Sequence, residues 1–285
     1  MVKNNYELVS LLDLFERVAG NGPPPSGAVA FAIDDGYIDR ATIAAPLFSQ
    51  FDCPITAFVS TGLLDGKIWF WWDQIEHVFE STACQSVSVS LGNTVLDYRC
   101  DGKDQRIQAQ AEFTATCKLV DDDVKLAAIA QLARNAEVEI PNNPPSHCAP
   151  ISWEHIRTCE KLGMTFGPRT VTHPVLIRTM FDVTNYEITE SWAQLRAEAR
   201  SPAPVFCYPN GGWDDCGDRK IAILQRLGFL DAVVGEPGYP DALAFQRGPV
   251  DPFKVQRFDF PDQLPHMIQC VSGLERFKQK LWRSA

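Results

Sequence analysis

Three short stretches carry side chains equipped for chemistry: "IDDG" with Asp34 and Asp35, "RTVTHP" with Arg169 and His173, and "YPNGG" with Tyr208 and Asn210. Adjacent carboxylates permit a division of labour, one holding a cation and the other taking a proton from cation-bound water, while an imidazole adds a neutral ligand. A histidine with a polar partner four residues upstream presents two groups on one face, but here the partner of His173 is Arg169. Each stretch alone is a weak signal. Asp and Gly suit turn geometry, so a DDG tripeptide is more often a turn than a catalytic pair, and an isolated THP is more often a structured loop.

The elements around these stretches read as alternating strands and helices. "AVAFAI" (28–33) is a buried strand closed by "DDGY", helical spacing follows over 41–51, and "CPITAFVST" (53–61) is the next strand. That βαβ unit puts Asp34 and Asp35 at the carboxyl end of a parallel strand, where ligand and catalytic groups gather. Residues 66–146 break the pattern: an aromatic run "KIWFWWDQIEHVF", a hairpin turning at Gly92-Asn93 and the helix "DDDVKLAAIAQLARNAEV" read as an insertion. The proline-rich "PNNPPSHCAP" returns the chain to a helix capped by Ser152, then to the short strand "MTFG" and the Arg169 motif. A helix over 183–200, the strand and turn "APVFCYPNGG", the helix "DRKIAILQRLG" and the strand "LDAVVG" resume the alternation. The expectation is one α/β domain spanning 1–285, interrupted at about 66–146.

Composition removes several classes of function. With 26 Lys and Arg against 36 Asp and Glu the net charge is −10, which argues against nucleic-acid binding. No apolar run is long enough for a transmembrane segment, and "LVSLLDLFERV" (8–18) reads as an amphipathic helix without the marks of an export signal. Nine cysteines, an odd number without a CxxC pair, suggest neither a zinc ribbon nor a disulfide framework. The expected location is the reducing cytoplasm.

In this order and spacing, the three motifs resemble those of the polysaccharide deacetylase superfamily, carbohydrate esterase family 4, whose members carry a TFDDG-type first motif, an H-[ST]-x-x-H second motif and a Y-P-x-G third motif. Supporting segments run from "AFAIDDGYIDRATIAAPLFSQFDCPITAFVSTGLLDG" through "ISWEHIRTCEKLGMTFGPRTVTHPVL" to "FCYPNGG" and "DPFKVQRF". The resemblance implies a distorted (β/α) barrel that removes an N-acyl group from an amino sugar with the help of a divalent metal, zinc above all. It assigns Asp34 as catalytic base, Asp35 and His173 as metal ligands, the Asn210 backbone N–H as oxyanion donor, Arg257 as the group orienting Asp34, and His266 as a candidate general acid. Tyr37, Tyr208 and Trp213, within or beside the motifs, are the candidate substrate-binding aromatics. The aromatic insertion and Y-P-N-G motif look like the branch associated with surface polysaccharide and lipopolysaccharide biosynthesis. That branch implies an amino-sugar, nucleotide-sugar or glycan substrate, with glycan-assembly enzymes as partners.

The sequence departs from the family at Arg169, which stands where the first metal histidine belongs. A guanidinium has five donors and no lone pair to offer a cation. At about 4 Å and an effective dielectric of about 20, a fixed positive charge opposes a dication by about 8 kcal/mol. Three states follow. Arg169 could pair with Asp35 in a metal-free site, swing outward and leave Asp35 and His173 to hold a metal with other ligands, or contact an anionic group of the substrate. The first state corresponds to a catalytically inactive barrel that binds a glycan or a glycosyltransferase. Removal of a formyl instead of an acetyl group shares the same mechanism. His77, His147 and His155 read as packing or surface residues, and the Trp69, Trp71 and Trp72 cluster reads as core packing of the insertion more than as a sugar platform.

Overall fold

The structure, a computed structural model, describes residues 2–19, 27–64, 66–239 and 251–276. The chain opens with a short helix α1 (Val2–Asn5), strand β1 (Glu7–Leu8) and helix α2 (Leu11–Ala19). The strand expected over 28–33 is interrupted at Ala30: β2 (Ala28–Val29) pairs with β1, while β3 (Phe31–Ile33) pairs with β4 (Ile55–Val59). Between them lie a π-helical turn, Arg40–Ala44, and α3 (Ala45–Ser49). All five residues of β4 are buried, as expected for a central parallel strand covered on both faces.

After α4 (Thr61–Leu64), the insertion contains α5 (Trp71–Ser81), the hairpin β5 (Ser86–Leu91) and β6 (Thr94–Arg99), α6 (Lys103–Cys117) and α7 (Asp122–Asn135). Its buried residues, Ile75, Phe79, Val89, Phe113 and Leu132 among them, form a hydrophobic cluster of their own. The chain then returns through α8 (Trp153–Glu160), whose N-terminus is capped by the Ser152 hydroxyl accepting from the His155 N–H at 3.2 Å. The remaining elements are β7 (Met164–Pro168), α9 (Phe181–Glu198), β8 (Val205–Cys207), α10 (Asp218–Arg226), β9 (Asp231–Val233) and α11 (Leu264–Ser272).

Strands β3, β4 and β7 form one parallel sheet and β8 and β9 another. Single bridges, Phe166 to Pro202 and Val233 to Val255, carry the array onward. The expected distorted barrel is corrected to that extent: among the described residues the sheets are small and open, and do not close.

Strand alternation sorts the core into two layers. Phe31, Ile33, Phe166, Phe206, Tyr208, Ala232 and Val234 face outward into the main cluster under helices α8, α9 and α10. Ala30, Ala32, Phe58, Val205, Cys207, Val233 and Val255 face the opposite, inner side. The inner side is narrow. A Cβ on Gly167 would lie 2.5 Å from the Val205 carbonyl and 2.8 Å from the Phe58 ring, so only glycine lets β7 approach β8 there. No helix of the described residues is long and apolar enough to cross a membrane, and all nine cysteines are free.

Candidate functional site

Continuing the inner parity by one step from each strand gives the polar centre of the molecule. Asp34 follows Ala32, Arg169 follows Gly167, Cys207 follows Val205 and Arg257 follows Val255. The four side chains meet. Arg257 Nη1 donates to Asp34 Oδ1 at 2.8 Å, and both Arg257 Nη2 and Arg169 Nη1 donate to Asp34 Oδ2. Beneath them the Cys207 sulfur accepts from Arg169 Nη1 at 2.8 Å and from Arg257 Nη2 at 3.3 Å. Burial would lift the Asp34 carboxyl, but Arg169 and Arg257 outweigh it and hold the group well below the usual carboxylate range. Burial dominates at Cys207 and pushes its thiol up to about 11.

Arg169 reaches in the other direction as well. Its Nε–H donates to His173 Nε2 at 2.9 Å and lies 3.3 Å from Asp35 Oδ1, which is itself 3.5 Å from His173 Nε2. An arginine N–H can only donate, so the His173 Nε2 lone pair is occupied and the ring proton sits on Nδ1. Burial and then the Arg169 charge push the His173 imidazole well below its ordinary value, keeping it neutral. Burial raises the Asp35 carboxyl, with Arg169 opposing.

These contacts decide the fit of a divalent metal. The lone pair that His173 would offer already receives an N–H, the Asp35 oxygen beside it faces the same cation, and a guanidinium fills the space between them. The residues present do not fit the metal that the family resemblance implies. Among the described residues no group of three or more His, Cys, Asp or Glu is arranged to hold one. Arg169 pairs with Asp34 through a hydrogen bond and with Asp35 through the longer contact, whereas the sequence pointed to Asp35 alone.

The loops holding this centre are strained and pinned. Asp35, Thr170, His173 and Asn210 have φ of 80, 66, 57 and 58°, a left-handed conformation that costs non-glycine residues about 1 kcal/mol or more each. Glu187 on α9 stabilises the Arg169 loop: its buried carboxylate accepts from the backbone N–H groups of Val171 at 2.8 Å and Thr172 at 2.9 Å, and from the Thr172 hydroxyl at 2.7 Å. At the third motif Gly211 has φ +69°, and a Cβ there would stand 2.3 Å from the Gly235 nitrogen.

Above the charged centre lies a cavity of about 420 Å³. Asp35, Arg169, His173 and Asn210 line it from the strand ends, Trp71 and Trp72 from α5, and Gln110, Thr114 and Lys118 from α6 and its C-cap. Trp72 packs edge-to-face on His173 at 4.7 Å and stacks on Phe70 at 4.3 Å. Its indole N–H donates to the Tyr37 hydroxyl at 2.9 Å, which in turn donates to Asp73 at 2.9 Å.

The structure thus brings together Asp34, Asp35, Arg169, His173, Asn210 and Arg257. Tyr37 lies behind Trp72 as its hydrogen-bond partner. The other expected site residues are corrected. Tyr208 is fully buried on the outward parity of β8, against Phe206. Trp213 is 49% exposed on a 3₁₀ turn and does not line the cavity. His266 is exposed at the start of α11, whose Met267 and Cys270 line a separate, apolar cavity. Cys207 and the α6 residues of the cavity went unnoticed in the sequence, and Trp71 and Trp72, expected as core packing, line the cavity as well. The first was signalled by inner-face parity, and the second by the polar residues Gln110, Thr114 and Lys118 recurring every fourth position.

No protein-family model matches the sequence, and no curated protein matches it. Solved structures do. The Streptococcus pyogenes deacetylase PplD, solved with acetate, superposes with a TM-score of 0.58 at 17% identity, over 95% of this chain and 82% of that one. IcaB from Ammonifex degensii gives 0.56 at 15% identity over 95% and 84%. The BpsB deacetylase domain from Bordetella bronchiseptica gives 0.51 at 14% over 90% and 79%. The likeness is one of fold: the chain has the polysaccharide-deacetylase type of α/β architecture.

Proposed function

We propose that this chain binds a glycan in the cavity over His173, with the Arg169 guanidinium standing where the deacetylase motif would hold a metal. One observation carries this reading. Gln110, Thr114 and Lys118 line the cavity and make no side-chain hydrogen bond or ion pair among the described residues, and Trp71 and Trp72 line it with them. Free donors and acceptors beside aromatic side chains suit sugar hydroxyls and amides. Asp34, saturated by two guanidiniums, is poorly suited to act as a base. Calorimetric titration of chelator-treated protein with acetamido-sugar oligosaccharides tests the proposal. Binding without metal, weakened about tenfold or more in Trp72→Ala, is the expected result. A requirement for added metal, or no binding to any glycan, would sink it.

A second reading, hydrolysis of an N-acetyl or N-formyl group, is favoured by one feature. The Asn210 N–H has no acceptor among the described residues, and Asn210 shares the cavity with Asp35, whose raised proton affinity suits proton transfer. Release of acetate or formate by the chelated protein would establish it. For either reading the proposed ligand is an amino-sugar intermediate of surface polysaccharide or lipopolysaccharide assembly in the cytoplasm, with a glycosyltransferase as partner. The Y-P-N-G motif and aromatic insertion support that choice.

A further inference from the structure

Helix α6 presents two stripes. Ala109, Phe113 and Cys117 are buried and pack into the insertion's core. Gln110, Thr114 and Lys118 follow one position later at the same four-residue spacing, so they share one face, and all three line the cavity. The apolar stripe accounts for the docking of α6. Packing does not account for the polar one.

The charge around the cavity is unbalanced. Asp35 is offset by Arg169 at 3.3 Å. Lys125, on the neighbouring helix, is paired with Asp122 and lies 4.7 Å over the Trp71 ring. Lys118 has no ion pair among the described residues, and so leaves a cation at this wall in a chain of net charge −10. A ligand matching this wall carries a negative charge beside Lys118 and hydroxyls beside Gln110 and Thr114.

We infer that the Gln110–Thr114–Lys118 face reads an acidic sugar, with the Lys118 ammonium pairing with a carboxylate or phosphate and Gln110 and Thr114 bonding the hydroxyls beside it. The inference rests on the glycan-binding reading and names its ligand class. It assigns the insertion the role of selecting the ligand.

The test is calorimetric titration of the full chain, wild type and Lys118→Gln, with oligogalacturonate, a phosphorylated mannose oligosaccharide and a neutral chitin oligomer. The expected result is tighter binding of at least one acidic ligand than of the neutral one. Lys118→Gln should remove about fivefold of that preference, consistent with one partly exposed ion pair. Lys118→Arg should keep the preference, and high salt should erase it. Whichever acidic ligand responds identifies the anion. Equal binding of acidic and neutral ligands, or an unaltered preference in Lys118→Gln, overturns the inference while leaving glycan binding intact. A lysine serving only the helix C-terminus would give that second result. Absence of binding by every ligand ends both readings.

Discussion

Two polar regions lie one above the other in this molecule, and they differ in how completely their hydrogen bonds are made. In the lower one, Asp34, Arg169, Arg257 and Cys207 bind one another, and two guanidiniums saturate one carboxylate. In the upper one, Gln110, Thr114 and Lys118 line the cavity and make no side-chain hydrogen bond or ion pair among the described residues. A saturated cluster behaves as framework, because every group has its partner before any ligand arrives. An unsaturated wall is a demand for a ligand. The same fold therefore carries a self-paired charged lock at its strand ends and an unpaired cavity wall on helix α6.

The largest effect should come from breaking the lock. Asp34→Ala leaves the buried Arg169 and half-buried Arg257 guanidiniums without their shared carboxylate and should cost about 3–5 kcal/mol in urea denaturation. It should damage folding before it affects any ligand. A loss below 1 kcal/mol would show that the cluster is not the framework described.

Arg169→His would open the lower region, since it removes the N–H that occupies the His173 lone pair and places a second imidazole near Asp35. The variant should bind zinc more tightly than wild type, seen as stabilisation of about 2.7 kcal/mol at zinc one hundred times its Kd. No gain in a zinc-dependent melting experiment would mean that Asp35 and His173 are no longer placed to ligate.

Asp73 holds Trp72, at the cavity wall, through the Tyr37 hydroxyl. Burial lifts its carboxyl to about 6, so the folded chain binds this proton more tightly than the unfolded chain. Its contribution to stability falls as pH rises from about 4 to about 6 and then stays low. Asp73→Asn keeps an acceptor for Tyr37 and removes the charge. It should match wild type at pH 4 and exceed it at pH 8 by on the order of 2 kcal/mol, read from denaturation midpoints across that range. Asp34 has the opposite sign: its depressed carboxyl contributes fully at neutral pH, and that contribution is lost as pH drops below about 4. The smallest effect should be at Trp213, where Trp213→Ala should leave glycan affinity within about twofold of wild type, against the tenfold loss at Trp72.

Much of the lower region was legible in the sequence because strand parity and motif spacing are local. Asp34, Arg169 and Arg257 each fall two positions beyond a small or β-branched inner residue; the β-α alternation placed Asp34 and Arg169 at strand ends, and the family resemblance alone pointed to Arg257. The direction of the Arg169 side chain was not legible, since it depends on Asp34 and His173 together. Tyr208 was misjudged because motif adjacency outweighed the parity that turns it outward with Phe206. The upper region was nearly invisible. The apolar stripe of α6 is only Ala109, Phe113 and Cys117, too narrow to mark one face as core and its neighbour as functional.

The Glu187 carboxylate, which accepts from the Val171 and Thr172 amides, has a consequence for exchange with solvent. Those two amide protons are tied to a helix and not to a strand partner, so their exchange with deuterated water should report opening of the α9 contact alone. The loop carrying Arg169 and His173 thus loses its freedom when the chain folds, and a ligand arriving at the cavity has little left to order there. Association on such a surface should be fast, with affinity differences between sugars showing as differences in dissociation rate.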